Sequence, residues 1–473
     1  MANVAYELAM RVGTAAHRFS RRRQIAGDPA ESALSQERRT PLEPLGLPEG
    51  RAVYWLHAVS AGEVGVAAVL VGEIKRQCPE AIAVVSTATA TGLGAAKSKI
   101  PSADAVVVAR YDVRGLIASM FDAIRPTALI LVEGDLWRNI LAVARRRGVP
   151  VFVANAKLSQ ASHAGYRKVP IYTHAMLSRL AHVYVQSQVY EQRFLELGLD
   201  AEKCEVSGNI KLDAAVEPPT PAELTQLAHR VGCEGAFPIV TFGSLHPGEE
   251  LAALEAMEAI WRLHPTAHGI IVPRHIDRTA QIAESILAAF GQRCHIYSKA
   301  EADDQSEVTS INDLTGQPSA TSLTPSSDRS APLPLGTDRR EGLGVSSSPT
   351  RVTIVDKMGL LMKLYALCDI AVVGGTFVRH VGGHNLAEPA FVSKPVVYGP
   401  YVQKQPGLHD LIAAYDAGVQ ATAEAFPALM LDLAQDRERI ARLGNNGAAM
   451  IAASRGVASR IVTDILARAK ICN

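Results

Sequence analysis

The sequence predicts an α/β protein made of two doubly wound parallel-sheet domains, and three observations carry that prediction. The chain has 473 residues, long for a single core when domains usually run to about 150 residues. From residue 53 onward, short continuous Val/Ile/Leu runs alternate with amphipathic helical patterns, as expected of parallel strands buried on both faces. A Pro/Thr/acidic stretch, V-E-P-P-T-P-A-E from Val216 to Glu223, breaks this rhythm, which then restarts.

Taken in order, residues 1–40 form a basic amphipathic segment in which Glu7 and Arg11 interrupt the apolar spacing, so it is neither a spanning helix nor a signal peptide. Two readings stand: a helix lying on anionic lipid with Phe19 and Arg21, Arg22 and Arg23 at the headgroups, or a basic helix packed on its own domain. The first domain, 41–215, carries the runs Y-W-L-H-A, A-V-V-S-T, A-V-V-V-A, A-L-I-L-V-E, V-F-V-A-N and V-Y-V-Q. Residues 216–236 read as a linker or the start of a linker helix. The second domain, 237–473, carries P-I-V-T-F-G, H-G-I-I-V-P, C-H-I-Y, V-T-I-V-D, I-A-V-V-G-G and P-V-V-Y-G. Within it, residues 299–350 are rich in Ser, Thr, Pro and Asp and poor in aromatics, a composition that predicts a disordered insertion.

Composition removes some function classes. With 48 basic and 47 acidic residues the net charge is +1, which gives no field to gather nucleic acid. Six cysteines without C-x-x-C spacing fit a reducing cytoplasm.

In open α/β sheets ligands gather at the carboxyl ends of the strands, and two such units in tandem leave a cleft between them. Four strand ends are conspicuous: H-A-V-S-A-G-E, G-S-L-H-P-G-E-E, V-P-R-H, and V-G-G-T-F followed by G-G-H-N-L-A-E-P. Ser244 and the backbone near His246 offer N–H donors to a phosphate, and Arg274 adds a charge-assisted bond. Gly382, Gly383, His384 and Asn385 make a tight turn into a helix, and Glu388 one turn along can accept hydroxyls of a ribose or sugar. Singly, each has a plainer reading: a Gly-Gly turn as backbone geometry, a P-R-H corner as a solvated loop. Three such corners in one unit point to a nucleotide-sugar site. Glu63 likewise has a plain reading, since any helix favours a carboxylate in its first turn.

The series H-A-V-S-A-G-E-V, V-E-G-D-L-W, N-A-K-L-S, G-N-I-K-L-D, S-L-H-P-G-E-E, V-P-R-H-I-D-R, M-G-L-L-M-K-L-Y, V-G-G-T-F and G-G-H-N-L-A-E-P-A resembles, in that order, the motifs of 3-deoxy-D-manno-octulosonic acid (Kdo) transferases. The resemblance runs from about residue 50 to about residue 425 outside the insertion. It implies a GT-B glycosyltransferase of two Rossmann-like domains, an inverting enzyme moving Kdo from CMP-Kdo to a lipid A precursor at the cytoplasmic face of the inner membrane. By that resemblance Glu63 is the base, and Ser60, Gly62, Glu133, Asp135 and Lys157 lie on the acceptor side. Ser244, His246, Arg274, His275, Met358, Gly359, Gly383, His384, Asn385 and Glu388 line the donor side, while Asn209 and Lys211 at the interdomain crossover touch the donor carboxylate. No D-x-D cluster is present, and a CMP leaving group carries one phosphate, so the chemistry is expected to need no metal and no cofactor. The chain departs from the family where Asp135 replaces a glutamate, Arg138 a proline, Lys157 an arginine and Leu360 a glutamate. Those departures leave open a related GT-B transferase with another CMP- or nucleotide-activated sugar or a soluble acceptor, or a nucleotide-sugar-binding protein that no longer transfers.

Overall fold

The computed structural model describes residues 29–134, 136–214, 216–290, 294–298 and 351–471. The expected disordered insertion 299–350, the segment 1–23 with its two readings, and Asp135 lie outside the described residues. The chain divides into two compact units, residues 1–215 with 453–473, and residues 216–452.

The first unit is built on β1 (Val53–His57), β2 (Ile82–Thr87), β3 (Ala105–Val108), β4 (Ala128–Val132), β5 (Val151–Ala156), β6 (His182–Val185) and β7 (Cys204–Val206). All pair in parallel, in the order β3-β2-β1-β4-β5-β6-β7. The strands read as unbroken apolar runs because both faces are covered, and the side chains still alternate between two cores. Val53 and Trp55 of β1 and Leu129 and Leu131 of β4 point into one. Tyr54, Leu56, Ala128, Ile130 and Val132 point into the other. Each fully buried Leu or Ile stabilises the fold by roughly 1.5–3 kcal/mol.

The second unit repeats the plan with β8 (Ile239–Leu245), β9 (His268–Pro273), β10 (His295–Ile296), β11 (Val352–Ile354), β12 (Ile370–Val373), β13 (Val396–Tyr398) and β14 (Gly418–Gln420), in the order β10-β11-β9-β8-β12-β13-β14. In each sheet the order reverses beside the first strand, between β1 and β4 and between β8 and β12. Such a switch point splays the loops at the carboxyl edge and opens a crevice there.

Three expected boundaries are corrected. Residues 221–231 are not a linker: Thr220 and Glu223 form a capping box, and Leu227 and Val231 of the helix Pro221–Val231 sit in a core of the second unit. The C-terminal segment does not belong to the second unit. The helix Val457–Ile471 lays Val457, Ala458, Ile461, Val462 and Ile465 on the second core of the first unit, and Asp213 Oδ2 accepts from Ala458 N at 2.6 Å. Residues 29–40 are also part of the first unit, where Leu34 of the helix Pro29–Glu37 is buried and Glu37 pairs with the buried Arg110.

Candidate functional site

At the switch point of the first sheet, β1 runs into Ser60, the N-cap of the helix Ala61–Gln77. Glu63, in the first turn, folds its carboxylate back: Oε2 accepts from Val59 N and Oε1 from the Ser60 hydroxyl, each at 2.7 Å. These bonds hold the carboxylate at the helix entrance, where the dipole favours a negative charge. Gly62 beside it is exposed. Below it, His57 is buried with Nδ1 2.8 Å from Ser86 Oγ, which also accepts from Trp55 Nε1. Burial, helped by the charge of Arg38, lowers the imidazole to about 4, so it is neutral at physiological pH.

The neighbouring strand ends carry a charge cluster. Glu133 after β4 is buried, with φ 63°, and accepts from Lys211 Nζ at 2.6 Å and from Lys157 Nζ. Burial alone would push its carboxyl up, but the two ammonium groups outweigh it and hold the group below the usual range. Asn155, fully buried at φ 58°, donates to Glu133 Oε1 at 3.3 Å and accepts from Ile210 N at 2.9 Å. One carboxylate against two lysines leaves a net positive charge, and both lysine side chains are about two-fifths exposed. Lys211, expected on the donor, is thereby placed in the first unit beside Glu133; Asn209 caps the same short turn by accepting from Lys211 N at 3.1 Å.

In the second unit the carboxyl ends of β8 and β12 meet at a group of histidines. His246 and His384 stack at 5.0 Å between centroids with their Nε2 atoms 2.8 Å apart, and His275 stands edge-on to His246 at 5.9 Å. One ring of the pair must donate and the other accept, so both cannot be protonated. Burial first, then His246, Arg274, Lys404 and His275, lowers His384 to about 4. Burial and the neighbouring cationic groups likewise lower His246. These corners face a concentration of positive charge suited to an anion. Ser244 takes φ 59° at the end of β8. Gly375 is forced by the packing, since a Cβ there would meet Val381 Cγ1 at 2.6 Å and His384 Cδ2 at 2.9 Å.

Glu249 organises the two loops. Buried in the first turn of the helix Glu249–Trp261, it accepts from His246 N, Gly375 N and Phe377 N at 2.8, 2.7 and 3.0 Å. Burial raises its carboxyl despite those three bonds. Gly383 N bonds to Gly375 O at 2.8 Å, and Asn385 Oδ1 accepts from Ala387 N while its amide donates to Glu388 at 3.4 Å. Burial pushes Glu388 up to about 7. Met358 is 64% exposed in the turn with Gly359, and no hydrogen bond or ring contact joins either to the histidines among the described residues. Sequence reasoning missed Glu249, Asn155 and Lys404; the G-E-E run entering a helix was the available signal for the first, and the motif N-A-K contained the second.

Two doubly wound parallel units, each with polar residues at its switch point, define the class: a GT-B protein. Solved structures agree on the fold. An Anabaena HepE structure in complex with UDP and glucose matches with TM-score 0.53 at 15% identity, over 88% of this chain and 100% of that one. A putative UDP-N-acetylglucosamine 2-epimerase of Listeria monocytogenes matches with TM-score 0.57 at 12% identity, over 88% and 96%. A family model described as 3-deoxy-D-manno-octulosonic-acid transferase (kdotransferase) matches residues 19–214. The 3-deoxy-D-manno-octulosonic acid transferase of Chlamydia trachomatis is 27% identical over 81% of this chain and 78% of its own length. That of Haemophilus influenzae is 26% identical over 86% and 85%. The chain is thus similar to Kdo transferases over most of its length, and the family model matches residues 19–214.

Proposed function

We propose that the chain is an inverting glycosyltransferase that moves Kdo from CMP-Kdo to a lipid A precursor in lipopolysaccharide biosynthesis. The observation that carries this reading is Glu63, held by two short bonds at the first switch point of a chain whose relatives over most of its length are Kdo transferases. The first unit takes the acceptor through Ser60, Gly62, Glu133, Lys157 and Lys211, with Asp135 beside them in sequence. The net positive charge around Glu133 suits the phosphates of a lipid A disaccharide. The second unit takes the donor: the turn at Ser244 and His246 with Arg274 holds the phosphate, and Glu388 accepts sugar hydroxyls.

In the transfer, Glu63 takes the proton of the acceptor hydroxyl as its oxygen bonds to the anomeric carbon and the bond to the CMP phosphate breaks. Arg274 and Lys404 meet the charge left on the phosphate, so the step needs no divalent ion. Incubating the protein with CMP-Kdo and a tetraacyl disaccharide 1,4′-bisphosphate should add the mass of Kdo. Glu63→Ala should lower kcat by about 10²–10⁴-fold, as expected for a general base. Undiminished turnover in that variant removes the base assignment, and no product with wild type removes the donor–acceptor pair. Lys157 and Leu360 favour, as the second reading, a transferase with a different activated sugar; in that case CMP-Kdo fails where another CMP-sugar succeeds.

No helix among the described residues is long and apolar enough to cross a membrane. Peripheral attachment to the cytoplasmic face of the inner membrane fits instead. Residues 1–23 supply one contact. A second is the knuckle after Lys157, where Val169 and Ile171 are 47% and 88% exposed beside the exposed Arg167 and Lys168. Deleting residues 1–23 together with Ile171→Asp should release the protein from anionic vesicles while sparing turnover on detergent-dispersed acceptor; undiminished vesicle binding counts against attachment through these two segments.

A further inference from the structure

Three elements of the first unit converge at a place the transfer does not use. His182 opens β6, Glu205 lies on β7 and Asp464 lies in the helix Val457–Ile471. The register Tyr184↔Glu205 and the two-residue period put His182, Tyr184 and Glu205 on the sheet face that this helix covers. The His182 ring is 3% exposed and 4.7 Å from the Tyr184 ring, and neither ring nitrogen has a hydrogen-bond partner among the described residues. A buried imidazole left in that state forfeits both its donor and its acceptor, a cost that native structures rarely carry without a ligand or water to meet it. Its Nε2 stands 3.6 Å from Glu205 Oε2, too far for a hydrogen bond. One ligand atom each from His182, Glu205 and Asp464 fall within 4.8 Å of one another. The two bonds that Asp464 accepts, from Tyr184 Oη and Arg468 Nε at 2.6 Å, both fall on Oδ2, leaving Oδ1 for a further partner.

We infer that His182, Glu205 and Asp464 bind a divalent transition-metal ion of the zinc class, with water completing the coordination. Ligand atoms about 2.0–2.2 Å from a shared ion stand roughly 3–4 Å apart. The His182–Glu205 separation is already in that range, and Glu205 and Asp464, with side chains 52% and 34% exposed, are free to close the rest. An imidazole with two carboxylates suits zinc better than the all-oxygen sets of calcium or magnesium. Arg468 offsets one of the two carboxylates, so the cluster keeps a net negative charge for the cation. His182 is at the amino end of β6, whereas Glu63, Glu133 and Lys157 follow the carboxyl ends of their strands. The ion is therefore a clip between the edge of the sheet and the C-terminal helix, independent of the proposed transfer.

The test titrates Zn²⁺ into the full-length, chelator-stripped protein against a chromophoric chelator and follows thermal unfolding in parallel. Wild type should take up one equivalent at this site and gain several degrees in Tm, roughly as mass action at 100 times Kd demands. Glu205→Gln, at an exposed side chain, should weaken that uptake by about tenfold or more while the metal-free Tm stays close to wild type, and Asp464→Asn should weaken it likewise. His182→Gln should abolish it, but its burial makes the Glu205 variant the deciding one. Absence of Zn²⁺ uptake in wild type overturns the site, and so does equal uptake in wild type, Glu205→Gln and Asp464→Asn.

Discussion

Glu388 and Glu133 are buried carboxyls whose environments act in opposite senses, and each predicts its own pH dependence. Burial places Glu388 at about 7, above its unfolded value. Its contribution to stability is thus complete below the unfolded range near 4.3 and is lost as pH rises towards 7. Glu388→Gln should flatten that decline in urea melts between roughly pH 5 and 8. The ionised form is the better acceptor of sugar hydroxyls, so KM for the donor should fall as pH rises through about 7 in wild type and stay level in the variant. Glu133 is the reverse case: Lys211 and Lys157 overcome its burial and hold it low. Its stabilising effect is present above the unfolded value and lost as pH falls through the folded one, so Glu133→Gln should blunt acid unfolding. Lys211→Ala leaves the carboxylate with Lys157 and Asn155 and should cost roughly 1–3 kcal/mol in urea melts, nearer the lower figure. None of this pairing was legible in the motifs, because G-N-I-K and V-E-G-D are some 75 residues apart and follow strands that two others separate; only the short turn Ile210–Asp213, tied to Asn155 through Ile210 N, brings Lys211 to Glu133.

Each switch-point strand runs into a turn that carries candidate site residues, and its packing limits what the turn can be. At Gly243 in β8 a Cβ would stand 2.0 Å from Tyr365 Oη and 2.8 Å from Leu361 Cδ1, both in the helix Leu361–Leu367. Gly243→Ala should therefore cost about 1–3 kcal/mol in thermal melts, the usual toll of overpacking. The Tyr365 hydroxyl is buried without a hydrogen-bond partner among the described residues, so Tyr365→Phe should be neutral or slightly stabilising in the same assay. The strands themselves were plain in the sequence: A-L-I-L-V and V-F-V-A-N are buried at every position, and no alternation could have been mistaken for a solvated face. The helix Pro221–Val231 was harder to see, because its Pro-Thr entry reads as loop until Glu223 is recognised as the partner of Thr220. The left-handed backbone of Glu133 and Ser244 had no signal in the residue types, since neither favours it; strain of this kind, of order 1–3 kcal/mol, is typical where geometry is set by function.

At the scale of the whole chain, both ends belong to the first unit and the second unit is inserted between them. Sequence position gave no warning, for the helix Val457–Ile471 has the ordinary amphipathic pattern of a closing helix in the second unit. Only the partners of its apolar face, Val64, Leu70 and Val71 among them, reveal the other owner. Removing residues 453–473 should destabilise the first unit while the second keeps its melting transition, a split that calorimetry on the truncated chain resolves. The same arrangement sets an order of events at the ribosome. Domains ordinarily fold as they emerge, amino end first. Here the last strand of the first sheet ends at Val206, and the helix that completes one of its faces follows more than two hundred residues later, after the whole second unit. A nascent chain stalled before that helix would offer the uncovered part of this face to chaperones, and a stop codon ahead of residue 457 would damage the half of the protein made first.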